Sequence, residues 1–113
     1  MTAIDNITVT IDAHMVSYAE LITQWANDRN LIDGSTAQAQ MVKLVEEVGE
    51  LAGGIAKHRP EVIRDSIGDC VVVLVILAAQ CGFDFTECVA GAYDEIKDRK
   101  GRMVDGMFIK EGD

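Results

Sequence analysis

Nine consecutive apolar residues, Val71 to Ala79 (VVVLVILAA), restrict the possible folds of this chain more than any other feature. Their β-branched content suits a buried strand. The run nevertheless joins the preceding DSIGDC without a breaker, and the stretch from Pro60 to Cys81 is too long for one strand, so a helix is predicted. It is far shorter than the ~20 apolar residues that span a bilayer. A helix apolar on every side has to be covered on every side. Three further helices in a chain of 113 residues cannot do that alone. A homo-oligomer, dimer or tetramer, with this helix at its centre is therefore expected.

The breakers divide the rest of the chain around that helix. Met15, Ala19, Ile22 and Trp25/Ala26 recur at helical intervals, which predicts a first helix from about Asp12 to Asn30 after an extended or flexible start over 1–11. Asp33-Gly34 marks a turn. Ser35 with Gln38 resembles a capping box opening a second helix that runs to about Lys57. Gly49, Gly53 and Gly54 weaken it by about 1 kcal/mol each relative to Ala, for which close helix packing is the commoner reason and close ligand approach the other. Pro60, the only proline, suits the first turn of the third helix, where its missing N–H would be unpaired anyway. That helix should stop at Gly82. Asp84 with Glu87 predicts the cap of a fourth helix, ending near Lys100 with Gly101 as its C-terminal cap. The tail over 102–113 contains the turn signal Asp105-Gly106 and is expected to be extended or flexible. The reading is a single all-α domain over 1–113, a four-helix bundle with a short extended C-terminal tail.

Two acidic clusters sit on the predicted second and third helices. Lys43, Glu47, Glu50, Gly54 and Lys57 follow steps of four and three, forming one polar stripe with two carboxylates at its centre. Leu44, Val48, Leu51 and Ile55 form the adjacent apolar stripe. The glutamates thus border the buried face, where Asp65 and Asp69 of the next helix can meet them. Converging carboxylates repel one another, and a hard divalent cation relieves that repulsion. A solvated helix face is the ordinary alternative, but Glu46, Glu47 and Glu50 have no basic residue between them.

Nineteen acidic against ten basic residues give a net charge of -9, which argues against a nucleic-acid polymer or an anionic membrane surface as partner. A polyanionic small molecule remains compatible when a cation accompanies it. Cys70, Cys81 and Cys88 are odd in number and form no CxxC pair, so they read as reduced core thiols of a cytoplasmic protein. Asn6-Ile7-Thr8 fits a glycosylation sequon, yet the first residues lack the basic flank and apolar block of a signal peptide. His14 and His58 stand apart from each other and from any cysteine.

KLVEEVGELAGGIAK followed by DSIGDCVVVLVILAAQCGFD resembles the MazG-type, all-α nucleoside triphosphate pyrophosphohydrolases, whose pattern is EExxE and then ExxD on the next helix. The resemblance runs from about Gln40 to Lys110. It implies cleavage of a nucleoside triphosphate between its α and β phosphates, giving the monophosphate and pyrophosphate, with Mg²⁺ as cofactor and Mn²⁺ as an alternative. By the same resemblance Glu47, Glu50 and Asp69 match metal-binding carboxylates, and Glu46 the first acid of EExxE. Either Glu46 or Glu50 orients the attacking water. Ser66 stands where the family has the Glu of ExxD. Asp65, one residue earlier, is displaced by about 100° around the helix. Either Asp65 ligates from a different angle or Ser66 acts through water. Lys97 and Lys100 are implied as phosphate partners, with Lys43 and Lys57 available on the glutamate stripe. For Lys97 and Lys100 the alternative is compensation of a helix dipole. Trp25 is a candidate to stack on a base, although a lone tryptophan on an apolar helix face is more often core. Two other readings stay open: a phosphoribosyl-nucleotide pyrophosphohydrolase-type relative, and a non-catalytic helical interaction module.

Overall fold

The computed structural model describes residues 18–112. Four helices are followed by a small antiparallel sheet: α1 over residues 18–28, α2 (Ala37–Ala56), α3 (Pro60–Gln80), α4 (Phe85–Ile96), β1 (Gly101–Val104) and β2 (Met107–Lys110). The part of the first helix expected over 12–17, the sequon and His14 lie outside the described residues.

The first three helices end in the same way. Asn30, His58 and Gly82 take positive φ, and the N–H of the following residue reaches back five positions: Leu31 to Ala26, Arg59 to Gly54 and Phe83 to Ala78, at 2.8–2.9 Å. This closure satisfies carbonyls that would otherwise be orphaned at a helix end. Between α2 and α3 it leaves only Lys57, His58 and Arg59 outside the helices, and Pro60 starts α3 at its first position. α2 and α3 therefore pack as an antiparallel hairpin. Gly54 is buried in their contact, because a Cβ there would come within 2.9 Å of Val62 Cγ1 and 3.3 Å of the Ile63 backbone nitrogen. Gln80 Nε2 ties the far end of α3 to the α1–α2 connection by donating to the carbonyls of Leu31 and Ile32.

Several expectations shift. The cap of α2 is Thr36, not Ser35: Thr36 has extended backbone and its Oγ1 accepts from Ala39 N–H, while Ser35 Oγ accepts from the Gln40 side chain. Asp84 does cap α4, accepting from Glu87 N–H at 3.1 Å. α4 stops at Ile96 rather than near Lys100, and Gly101 opens β1 instead of capping a helix. The C-terminal segment is a hairpin, in register Gly101↔Lys110 to Val104↔Met107. Asp105 and Gly106 both have positive φ, which is the geometry of a type I′ turn. Gly101 is required there, since a Cβ would run into the Ile109 carbonyl and the Phe108 ring.

The buried apolar side chains among the described residues are Ala26, Val73, Val75 and Ile76. α3 is thus the core helix, but its own chain covers it only in part: Leu74 and Ile67 are exposed. The apolar stripe read on α2 is split, with Leu44 and Leu51 half-buried and Val48 and Ile55 exposed. Cys70 is half-buried, but Cys81 and Cys88 are exposed and so are not core thiols: one caps α3 and the other lies on the open face of α4. No single described helix is long and apolar enough to cross a membrane; α3 and α4 pass only together, and they meet at 105°.

Candidate metal centre

The tight Lys57–Arg59 turn fixes the register between α2 and α3, and that register decides which acids meet. Glu47, Glu50 and Asp69 each offer a carboxylate oxygen within 4.8 Å of the others. At that separation each like-charge pair costs about 1 to 3 kcal/mol, depending on exposure. Glu50 and Asp69 are exposed, whereas Glu47 is buried, only 7% exposed. Its Oε2 has no hydrogen-bond partner among the described residues. A buried, unpartnered carboxylate oxygen in a set of three carboxylates is a poor arrangement for the bare protein and a good one for a hard divalent ion, which takes oxygen ligands of this type.

The remaining predicted residues divide around this cluster. Lys43 Nζ lies 3.4 Å from Glu46 Oε2 and 3.4 Å from Glu47 Oε1. The hydrogen bonds to Glu46 and then to Glu47 raise its pKa above the usual lysine value. Lys57 lines an open groove of about 590 Å³ together with Glu46, Gly49, Glu50, Gly53, Arg59 and Val62. Carboxylates stand at one part of this groove and two cations at another. Gly49 and Gly53 keep its floor clear, a Cβ at either meeting nothing within 4 Å. Glu46 is therefore in the groove but outside the three-carboxylate cluster, and Glu50 belongs to both.

Asp65 is exposed and stands outside the cluster. Ser66 is the residue turned inward, 2% exposed between the helices. Three carboxylates, not four, converge among the described residues. Lys97 pairs with Asp94 at 3.4 Å on α4. Lys100 lies at the base of the β1–β2 hairpin, beside Arg102 and Lys110. Trp25 is half exposed on α1, with the Arg29 guanidinium 4.5 Å above its ring, so it is neither core nor part of the groove. Arg59 was not singled out by the sequence. The signal for it was available, because a cation held in a three-residue turn between two acid-bearing helices cannot point far from either.

Comparison with known proteins supplies an independent line. The family described as "MazG nucleotide pyrophosphohydrolase domain" matches residues 35–104. A 63-residue segment is 62% identical to a Haemophilus phage HP1 (strain HP1c1) protein described as "Uncharacterized 18.2 kDa protein in rep-hol intergenic region". That segment is 56% of this chain and 39% of the length of the phage protein. No solved structure matches.

Proposed function

We propose that this chain, which belongs to the MazG nucleotide pyrophosphohydrolase family, hydrolyses nucleoside triphosphates between the α and β phosphates, releasing a nucleoside monophosphate and pyrophosphate. The observation that carries the reading is the convergence of Glu47, Glu50 and Asp69 on one point, with a buried Glu47 oxygen that nothing among the described residues satisfies. These three residues would hold Mg²⁺, or Mn²⁺, both of which accept an all-oxygen donor set. When bound, the ion supplies charge neutralisation and polarisation at phosphate oxygens.

The chain's own side chains provide the rest. Glu46 lines the same groove from outside the cluster, at a position suited to accept a proton from an attacking water. Lys57 and Arg59 offer charge-assisted hydrogen bonds to phosphate oxygens across a glycine floor that lets a polyphosphate approach the α2 backbone. Lys43 holds Glu46 and Glu47 apart from unscreened repulsion until a cation enters. The active form is a homo-oligomer. In support, Met41, Val45, Val48 and Ile55 on α2 and Val89, Tyr93 and Ile96 on α4 are all exposed in a single copy.

The test is pyrophosphate release with Mg²⁺ across a panel of ribo- and deoxynucleoside triphosphates. Stoichiometric monophosphate and pyrophosphate are expected. Orthophosphate as the product would sink α/β cleavage, and inactivity on the panel with activity on a phosphoribosyl nucleotide would move the chain to that substrate class. Inactivity towards all of them with either metal would leave a binding module.

A further inference from the structure

Ser66 is an uncharged residue in an inward position beside the metal centre, buried between the helices and one turn before Asp69 on α3. The antiparallel packing of α2 and α3 sets what it stands beside. Gly54 fits against Val62 and Ile63. One turn further, from 54 to 50 on α2 and from 62 to 66 on α3, Ser66 comes level with Glu50. The next step brings Asp69 level with Glu47, with which it clusters. An acid at position 66 would therefore extend the row of carboxylates along the helix contact towards the Lys57–Arg59 turn. Serine ends the row at three carboxylates.

Two properties of this shortened row limit what it can hold. The first is spacing. The three ligand oxygens lie within 4.8 Å of one another, and opposite ligands of one Mg²⁺, each about 2.0–2.1 Å from the ion, stand about 4.2 Å apart. The cluster thus has the dimensions of a single coordination sphere. Centres with two ions hold them about 3.5–4 Å apart, so the second ion needs oxygens of its own beyond the first. Asp65 does not supply one, because it is exposed and stands outside the cluster. Glu46 is outside it too, and shares Lys43 with Glu47 at 3.4 Å. The second property is charge. With the shared Lys43 set against them, the three carboxylates present between two and three negative charges. One divalent cation nearly cancels these. A second would leave the centre positive, and two dications about 4 Å apart repel strongly unless further acids surround them. The neutral Ser66 hydroxyl adds no such charge.

We infer that Ser66 sets the metal count of this site, holding the free protein to one divalent cation per chain on Glu47, Glu50 and Asp69. The inference rests on the metal centre of the function proposed above and adds a limit to it. Any further cation reaches the groove on the phosphate oxygens of a nucleotide, not on protein ligands.

Electron paramagnetic resonance tests the count without any substrate, because Mn²⁺ in water gives a sharp signal that is lost on binding to protein. The ions of the centre are those that the full-length wild type binds and Glu47→Gln does not. One Mn²⁺ per chain is expected for the wild type. Asp65→Asn should keep that count with a Kd within about twofold, since an exposed charge outside the cluster is largely screened. Ser66→Glu is expected to raise the count to two. Because Ser66 is only 2% exposed, the smaller Ser66→Asp is made beside it, and circular dichroism identifies which variant keeps the wild-type fold. Two Mn²⁺ in the wild-type centre, loss of the ion in Asp65→Asn, or a folded acidic variant at position 66 that still binds one ion overturns the inference. The wild-type and Asp65→Asn counts decide it even if neither acidic variant folds. A wild type that binds one Mn²⁺ yet releases no pyrophosphate from any nucleotide sinks the proposed hydrolysis and leaves the count standing. Two Mn²⁺ with pyrophosphate released does the reverse, and no Mn²⁺ at all removes both.

Discussion

Gly53 and Gly54 are neighbours on one helix, and replacing each with alanine should move stability in opposite directions. Alanine is favoured over glycine in a helix interior by about 1 kcal/mol, a gain common to both sites. At Gly53 nothing opposes it, since a new Cβ meets no atom within 4 Å. At Gly54 the new Cβ lies 2.9 Å from Val62 Cγ1 and 3.3 Å from the Ile63 backbone nitrogen. Valine is stiff about χ1 and the backbone of α3 cannot yield locally, so overpacking costs about 1 to 3 kcal/mol. The net expectation is a gain of about 1 kcal/mol for Gly53→Ala and a loss of about 1 kcal/mol for Gly54→Ala, which corresponds to several degrees each way in Tm. The assay is thermal unfolding by far-ultraviolet circular dichroism, with EDTA present and protein concentration fixed so that metal and assembly contribute equally to all three proteins. Equal shifts of the same sign, or a stabilising Gly54→Ala, would refute the α2–α3 packing described. The same variants bear on the site: Gly53→Ala fills part of the groove floor, so it should lose activity while gaining stability.

Three other predictions follow from the site and the hairpin. Mg²⁺ at about 100 times its Kd should stabilise the wild type by about 2.7 kcal/mol, and Glu47→Gln should abolish that shift without destabilising the metal-free protein; a retained metal shift would remove Glu47 from the ligand set. The raised pKa of Lys43 arises from its bonds to Glu46 and Glu47, so its contribution to stability is complete below the ordinary lysine value of 10.5 and is lost as pH rises through the folded value; urea unfolding of wild type and Lys43→Met should therefore differ by a constant amount at neutral pH and converge in strong alkali, and a gap that widens there would be the wrong sign. Gly106→Ala places a Cβ at φ +78, which should cost about 1 to 2 kcal/mol locally and speed hydrogen exchange in β1 and β2 without affecting α2 or α3.

Much of the fold was legible because its signals are local. Pro60 at the start of α3, Gly82 after its end, Asp84 at the cap of α4 and the Asp105-Gly106 turn each act through one or two backbone groups. The misses were local competitions that no single residue decides. Ser35 and Thr36 were both able to cap α2, and the extended backbone at Thr36, with Ser35 engaged by Gln40, settled which one did. The basic run after Ile96 continues a helical pattern, but Gly101 is drawn into a strand by pairing with Lys110, nine residues away. Exposure was less legible than structure. The α2 row of Val48 and Ile55 has the periodicity of a buried face, and nothing in periodicity tells whether its cover comes from the same chain.

Glu46, Glu47, Glu50, Asp65 and Asp69 illustrate the same boundary at the site. Helical periodicity by itself determined that Glu47 and Glu50 share a face, that Asp65 and Asp69 share another, and that both borders adjoin apolar surface, since these relations depend only on 3.6 residues per turn. Only the tertiary structure decided that Asp69 joins the glutamates while Asp65 stays outside, that Ser66 takes the inward position, and that Arg59 reaches the groove. Those outcomes depend on how far α3 is rotated and slid against α2. That register is set jointly by the three-residue turn and by Gly54 fitting between Val62 and Ile63, contacts between residues that no spacing rule within one helix connects.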